Sequence, residues 1–206
     1  MAAVDKFLFD RAAQIATQAN LPWAELDGKT VLVTGSTGLI GSQIVRTLLS
    51  RNDCVDAGIS VVLPVRNIKK AQALFGDRND VSVLEWSLGD ELAGSERVDY
   101  VVHAACGTSS KSFLETPATT IMQIVHGGEA VLRYAYSVDA KKVLFLSTME
   151  VYGEVEGVAT EDNLGKLDPM VVRNSYPEAK RLVECLCASY ATEHGVPSVV
   201  MRLAQT

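Results

Sequence analysis

A tyrosine and a lysine stand four residues apart in the stretch Tyr176-Pro177-Glu178-Ala179-Lys180. On an α-helix this spacing places both side chains on one face, so that the ammonium group can reach the phenol. A tyrosine is a poor base at its usual pKa of about 10, but a neighbouring cation stabilises the phenolate and lowers that pKa. The pair could then take a proton from a substrate hydroxyl. An exposed tyrosine beside a surface lysine would have the same spacing and is the alternative.

A second candidate site is rich in glycine and covers residues 34–41, Thr34-Gly35-Ser36-Thr37-Gly38-Leu39-Ile40-Gly41. It follows a run of β-branched residues and opens a helical pattern, which is the context in which such a fingerprint binds a dinucleotide. We expect Gly35 to make the tight turn, Gly38 to let a pyrophosphate approach bare backbone, and Gly41 to bring the helix close to the strand. The helix N-terminus would then hold the anion; a purely structural turn is the alternative.

The elements that must position these residues alternate along the chain. Apolar β-branched runs predict strands at 30–34, 60–65, 81–85, 98–103, 142–147 and 197–202, and helical patterns occupy about 39–51, 68–75, 117–137 and 176–194. Continuous rather than alternating apolar runs indicate burial on both faces, which is typical of a parallel sheet covered by helices. We therefore predict an α/β protein with a doubly wound parallel sheet, the Rossmann fold, in strand order 3-2-1-4-5-6. Its ligand crevice would lie at the carboxyl ends of strands 1 and 4.

The domain organisation follows from length and pattern. A chain of 206 residues suffices for one α/β domain with a real core and is too short for a full second one. A helical stripe at 4–19 ends at Asn20-Leu21-Pro22, so residues 1–27 are predicted to form a leader helix and linker and residues 28–206 the dinucleotide-binding domain. The long polar connection at about 153–175 predicts a binding or lid role.

Composition excludes several classes of protein. The net charge is −6 and no basic cluster exceeds the pairs Lys69-Lys70 and Lys141-Lys142, so nucleic-acid binding is not expected. No apolar run approaches the roughly 20 residues of a membrane helix, and the N-terminus lacks a signal-peptide layout. We therefore expect a cytoplasmic protein that does not contact membranes. The cysteines show no metal-ligand spacing, so free thiols and no metal site are predicted for Cys54, Cys106, Cys185 and Cys187.

The motifs together resemble a known superfamily. The spacing GxxGxxG after Thr34 resembles the extended short-chain dehydrogenase/reductases, and Ser147-Thr148-Met149-Glu150-Val151-Tyr152-Gly153 resembles the S(S/T)xxVYG signature of their NAD-dependent epimerase/dehydratase members. His103-Ala104-Ala105 is similar to the H-x-A pattern of the same enzymes. The resemblance covers about residue 29 to the end of the chain and is closest over 161–187, which includes Arg173.

This resemblance implies roles for individual residues. Tyr176 would be the base, Lys180 its activator, and Thr148 the hydroxyl that shares the hydrogen bond to the sugar O4, while Glu150 would act near C5. Tyr152 would pack rather than react, and His103 would take no part in proton transfer. The implied contacts to the cofactor are Gly35, Ser36, Thr37, Gly38, Leu39, Ile40, Gly41, His103, Ala104, Ala105, Tyr176 and Lys180.

The chain is most similar to UDP-glucuronate decarboxylases and dTDP-glucose 4,6-dehydratases. The implied chemistry is transfer of a hydride from the sugar C4 to the nicotinamide while Tyr176 removes the O4 proton; the 4-keto sugar then loses its C5 carboxylate as CO2, and the hydride returns. Met149 replaces the aspartic acid that dehydratases use, so dehydration ranks below decarboxylation. A 4-epimerase, which needs only Tyr176, Lys180 and Thr148, is one alternative, and a non-catalytic dinucleotide-binding module is another.

The identity of the cofactor rests on one further position. The resemblance implies NAD, yet the second predicted strand is followed by Arg66 instead of an acidic residue. An acidic residue would bind the ribose 2′-hydroxyl, whereas Arg66 could pair with a 2′-phosphate, so NADP stays open. Two departures bear on cofactor geometry, because Ile124 stands where the family usually has an asparagine and Trp86 lies near the position of an adenine-binding aspartate.

The resemblance also implies partners. The substrate would be a nucleotide sugar, and a homodimer would form through the helices at 117–137 and 176–194. Burial within one copy of the chain would explain equally well the apolar residues that recur there at helical spacing, which are Ile121, Val125, Leu132, Val183 and Leu186. Residues 201–206 resemble the start of the family's R-x-x-N-x-(Y/F)-G-P segment, with Gln205 at the asparagine position. Family members continue from there into a substrate domain. We expect the chain without that domain to bind cofactor and not to turn over a nucleotide sugar.

Overall fold

The structure is a computed structural model that describes residues 3–94, 97–107 and 110–204. Gln205 lies outside the described residues. The strands are β1 (Thr30–Thr34), β2 (Ser60–Val65), β3 (Val81–Glu85), β4 (Tyr100–His103), β5 (Lys142–Thr148) and β6 (Ser198–Leu203). The α-helices are α1 (Ala3–Ala16), α2 (Leu39–Val55), α3 (Ile68–Phe75), α4 (Ser110–Glu115), α5 (Pro117–Ser137) and α6 (Ser175–His194). Single 3-10 turns cover Trp23–Glu25, Met149–Tyr152 and Val172–Asn174.

The predicted strand order is confirmed. Along the sheet the order is β3-β2-β1-β4-β5-β6, and the pairs β1–β2, β1–β4, β2–β3 and β5–β6 are parallel, so the fold is a doubly wound Rossmann sheet. Predicted and observed strand bounds agree to within two residues, and the leader helix begins and ends earlier than its pattern indicated. Helix α4 was not predicted, because six residues are too few for an apolar period to show.

The chain packs as two compact units, with the first comprising Met1–Ser87 and Ser95–Ala105. Its four strands pair in parallel, and Leu32 in the centre lies opposite Val62 on one side and Val101 on the other. These strand residues are buried, as continuous apolar runs require. Helix α1 belongs to this unit and packs on α2. A boundary between a leader segment and the dinucleotide-binding domain at residues 27 and 28 remains a prediction.

The second unit comprises Leu88–Gly94 and Cys106–Thr206. Here β5 and β6 pair in parallel, and α5 packs closely on α6. Gly128 permits this approach, since a Cβ there would lie 2.6 Å from a methyl group of Val183. Leu132 and Val183 are both 1% exposed, so burial within one copy of the chain is the correct interpretation of these two residues, and they belong to the core of this unit.

None of the helices in the described part of the chain is long and apolar enough to cross a membrane. The four cysteines are free thiols. Among the residues that the structure describes, no group of three or more histidine, cysteine or acidic side chains could hold a metal ion.

Candidate functional site

The glycine-rich turn of the first unit joins β1 to α2. Gly35 has φ +68°, and a Cβ there would lie 2.6 Å from the backbone of Ala104 and Ala105, so no larger residue fits. A Cβ at Gly41 would overlap the carbonyl of Gly35, which is how the helix comes close to the turn. The sequence predicted both constraints, and they fix the turn before any ligand binds.

The start of α2 is open to an anion. Gly38 is the N-cap and has no side chain to accept from the first N–H groups of the helix, while its own N–H donates to the Gly35 carbonyl at 2.9 Å. The helix dipole adds partial positive charge at this end. The buried Ser36 hydroxyl has no hydrogen-bond partner among the described residues. This bare-backbone cradle fits a pyrophosphate, and the individual contacts of residues 35–41 with a cofactor remain predictions.

His103 braces the turn from β4. Its Nδ1 lies 2.8 Å from the Thr34 hydroxyl oxygen, which also accepts the Ala105 N–H at 3.2 Å. The ring is 4% exposed, so its side chain serves the packing of β1 against β4. Its lack of a role in proton transfer remains a prediction. Ala104 and Ala105 contribute backbone and small side chains next to Gly35.

Arg66 follows β2 directly and is exposed. Within the described residues it has no hydrogen bond or ion pair, so its guanidinium group is available to a ligand or to water. Asn67 beside it caps α3 by accepting the Lys70 N–H at 2.9 Å. Trp86 and Ile124, the two departures from the family pattern, are both buried.

Tyr176 and Thr148 come together in the second unit. Thr148 ends β5 and Tyr176 opens α6, and the hydroxyl of Thr148 lies close enough to the phenol to lower its pKa. The ring of Tyr176 is buried and stacks on Phe113, with centroids 4.4 Å apart and planes 14° apart. The two predicted partners of a sugar hydroxyl are therefore adjacent.

Lys180 does not have the partner that was predicted. Its Nζ donates to the Leu146 carbonyl at 2.8 Å and lies 4.6 Å from the ring centroid of Phe145. Burial lowers the pKa of Lys180, an effect that the nearby Cys106 thiol opposes. Burial also raises the pKa of Tyr176 to about 12, opposed by the Thr148 hydrogen bond and the charge of Arg173. In the ligand-free protein desolvation therefore outweighs the neighbouring positive charge. The expected fall in the phenol pKa depends also on a bound, positively charged nicotinamide ring and stays a prediction.

Glu150 forms an ion pair that the sequence did not predict. Its Oε2 lies 2.9 Å from Nη1 of Arg173, with both side chains partly exposed. The Arg173 guanidinium also lies over the ring of Phe113, 5.2 Å from its centroid, so Phe113 contacts both Arg173 and Tyr176. Arg173 and Glu150 act on the Tyr176 pKa in opposite directions. Arg173, three residues before Tyr176, could have been noticed from spacing, whereas Phe113 lies in the unpredicted helix.

Cys106 was predicted to have no chemical role, yet it lies in the same cluster. Its thiol interacts with Lys180, and burial raises the pKa of that thiol. The described site therefore has a phenol and a hydroxyl in contact, a carboxylate paired with a guanidinium, and a buried ammonium beside a neutral thiol. No pattern in the sequence linked Cys106 to Lys180.

Comparison with known proteins connects this site with one family. Residues 31–206 match the family described as the NAD dependent epimerase/dehydratase family. UDP-glucuronic acid decarboxylase 6 of Arabidopsis thaliana is 31% identical over 179 residues, which cover 85% of this chain and 50% of that protein. The chain spans about half the length of the curated relatives it matches.

Solved structures share the fold. A UDP-galactose 4-epimerase is 26% identical with a TM-score of 0.67, and the match covers 84% of this chain and 55% of that one. The UDP-glucuronic acid 4-epimerase of Bacillus cereus, solved with UDP-glucuronic acid and NAD, is 23% identical with a TM-score of 0.68 and the same coverage. At that identity the likeness concerns the fold.

Proposed function

Since the chain belongs to the NAD dependent epimerase/dehydratase family, we propose that it acts on a nucleotide sugar and that its reaction is decarboxylation of a UDP-glucuronate-like substrate through a 4-keto intermediate. The observation that carries this proposal is the Glu150–Arg173 ion pair beside the Thr148–Tyr176 pair. Simple hydroxyl oxidation needs only the second pair. A charged pair next to it provides groups for chemistry at the neighbouring carbon.

Tyr176 and Thr148 would bind the sugar O4. The phenol, whose pKa is about 12 without ligand, is protonated at neutral pH and can donate to a C4 carbonyl oxygen. To act as a base it needs added positive charge nearby. When bound, NAD supplies reversible hydride exchange at C4 and a positively charged ring. Lys180 would stabilise the phenolate of Tyr176 when its ammonium group contacts the phenol as well as the Leu146 carbonyl.

Arg173 and Glu150 would serve the carbon next to the ketone. The guanidinium uses Nη1 for Glu150, and its remaining N–H groups have no partner among the described residues, so they can meet a substrate carboxylate. In decarboxylation the C5–C6 bond breaks, its electron pair passes into the enolate of the 4-ketone, and CO2 leaves. A proton then adds at C5. Glu150 is the charged group best placed in this cluster to govern that proton.

The cofactor would be held through backbone. Gly35, Gly38 and the first turn of α2 would bind the pyrophosphate, and Tyr176 with Lys180 the nicotinamide end. We favour NAD over NADP, because the relatives that the chain resembles belong to an NAD dependent family. Arg66 is the residue that would favour NADP.

A 4-epimerase is the second candidate, because a solved UDP-galactose 4-epimerase is 26% identical. Because the chain without a substrate domain is expected not to turn over, the assay uses a form extended by the substrate domain of a family member, and its incubation with NAD and either UDP-glucuronate or UDP-glucose separates the two. Decarboxylation predicts CO2 and a UDP-pentose from the first sugar and no product from the second. Epimer without CO2 would favour the alternative, and no turnover with retained NAD binding would favour a non-catalytic module. Glu150→Gln should abolish CO2 release, whereas exposed Glu193→Gln, with the same change of charge, should leave it unchanged.

We also propose that the protein is a homodimer formed by the outer faces of α5 and α6. Met122, Tyr136 and Leu182 are large apolar side chains exposed on these helices, and Ile121, Val125 and Leu186 are half-buried beside them. Light scattering at micromolar concentration should give twice the monomer mass, and Leu182→Glu should return the protein to a monomer. A monomeric mass for the unmodified protein would contradict the proposal.

A further inference from the structure

Three consecutive residues at the end of β5 contact one stripe of α6. The Leu146 carbonyl accepts from Lys180, the Ser147 hydroxyl donates to Glu184 at 2.5 Å, and the Thr148 hydroxyl lies close enough to the Tyr176 phenol to lower its pKa. The three partners on the helix are spaced four residues apart, so they lie on one face. Glu184 is thus the third member of the row that begins with the predicted catalytic pair.

Glu184 also joins α6 to β6. Arg202 donates to both of its carboxylate oxygens, from Nη2 to Oε2 at 2.8 Å and from Nε to each oxygen at 3.2 Å. Both side chains are largely buried, at 13% and 19% exposure. The Arg202 guanidinium is itself fixed by stacking over Tyr152, 5.0 Å from the ring centroid. A carboxylate with this many charge-assisted bonds is held in one geometry.

We propose that Glu184 is a positioning residue, which fixes α6 on the ends of β5 and β6 so that Tyr176 and Lys180 keep their places beside Thr148. The inference rests on the proposed function, because that function is what gives the positions of Tyr176, Lys180 and Thr148 a catalytic role. Its contacts do not depend on that function. Glu184 touches neither sugar nor cofactor in this role, and it acts through Ser147, Arg202 and the helix that carries the pair.

A purely structural brace would make no difference to the charge state of Lys180, whereas Glu184 at this position does. The titratable groups that face Lys180 are Cys106, before α4, and Glu184 and Cys187 on its own helix. Of these, Glu184 brings a full negative charge near the buried ammonium, and that charge raises the pKa of Lys180 against the effect of burial. Removing the charge should lower that pKa further.

The test follows Lys180 by NMR in the whole protein with lysines labelled at Cε and Nζ, its signal assigned by its loss in Lys180→Met. Glu184→Gln keeps the size and an acceptor oxygen for Ser147 but removes the charge, so the pKa of Lys180 should fall. Glu193→Gln, near the end of the same helix, should leave it unchanged. Equal titration of Lys180 in Glu184→Gln, Glu193→Gln and the unmodified protein would overturn the proposal.

Two further measurements complete the test. If Glu184→Gln does not fold, Ser147→Ala is the second variant. Arg202 is then the remaining partner of Glu184, so the distance of its carboxylate from Lys180 is no longer fixed. An unchanged Lys180 titration would contradict the proposal. Where a nucleotide sugar is turned over, Glu184→Gln should lower kcat and leave KM unchanged. Glu184→Asp restores the negative charge, but its shorter side chain does not reach the partners of Glu184. Absence of turnover in a form extended by a family member's substrate domain would count against the proposed function alone, since the Lys180 titration needs no substrate.

Discussion

The glycine-rich turn and the Tyr176 cluster are built by opposite means. The turn works through what its residues lack, because Gly35 and Gly41 sit where any Cβ would overlap backbone. The cluster works through what its side chains reach, with partners more than thirty positions apart, such as Lys180 and Leu146. A site made by missing atoms is local in the sequence, whereas a site made by contacts depends on the fold that brings them together. The two should therefore fail differently when they are mutated.

The largest effect is expected in the cluster. Tyr176→Phe removes the phenol oxygen next to the Thr148 hydroxyl and should lower turnover roughly 100- to 10,000-fold, the usual share of a general acid–base group. NAD affinity should be nearly unchanged, because the turn is intact. The measurement is steady-state kinetics of the form extended by a family member's substrate domain, with calorimetric titration of NAD. Turnover like that of the unmodified protein would remove Tyr176 from the mechanism.

The next effect should divide stability from binding within the turn. Gly35→Ala forces a β-carbon into the Ala104 backbone at positive φ and should cost about 3 kcal/mol of the free energy of unfolding. Gly38 has φ −87°, and its nearest neighbour, the Gly35 carbonyl oxygen, would lie 3.2 Å from a Cβ. Gly38→Ala should therefore fold almost normally and lose NAD binding, because the methyl group blocks the approach of the pyrophosphate.

Thermal unfolding and calorimetric titration of both glycine variants check this division. If Gly38→Ala binds NAD as tightly as the unmodified protein, the pyrophosphate does not lie against this residue. If Gly35→Ala is as stable as the unmodified protein, the turn relaxes more easily than its contacts indicate.

This contrast explains how much the sequence could predict. Val31, Leu32 and Val33 predicted a buried parallel strand because their own apolar run records burial on both faces, and the glycines recorded their turn in the same local way. No local pattern indicated the roles of Phe113, Cys106 and Glu184, because a stacked ring, a thiol near an ammonium and a shared carboxylate arise only when distant segments meet. Lys180 shows the limit most clearly. Its spacing from Tyr176 correctly indicated that the two residues share a helix, but the Leu146 carbonyl that accepts its hydrogen bond lies 34 positions away.

A pH effect tests the buried phenol. Burial holds the pKa of Tyr176 at about 12, above the value of about 10 that it has when unfolded. Folding therefore favours the protonated phenol, and its contribution to stability is fully present below pH 10 and lost as the pH rises towards 12. Urea unfolding between pH 9 and 11.5 should show a steeper loss of stability for the unmodified protein than for Tyr176→Phe.

Desolvation also raises the pKa values of Tyr190 and Cys187, so the difference between the two proteins is the quantity to compare. Tyr136→Phe removes an exposed phenol from α5 and is the matched control. A slope for Tyr176→Phe equal to that of the unmodified protein would show that the Tyr176 phenol is solvated.

The smallest effect is expected at Arg66, at the border of the first site. Its guanidinium is exposed and unpaired within the described residues, so it contributes little to the fold and its replacement should leave the thermal midpoint unchanged. If NAD is the cofactor, Arg66→Ala should bind NAD with an unchanged Kd and bind NADP weakly, as the unmodified protein does. Lys69→Ala, an exposed cation on the neighbouring α3, controls for a general loss of positive charge. If Arg66 instead pairs with a 2′-phosphate, the unmodified protein should prefer NADP, and Arg66→Ala should weaken NADP alone by about tenfold, or ~1.4 kcal/mol. That second result would reverse the preference for NAD and place a charged side chain in a site otherwise made of bare backbone.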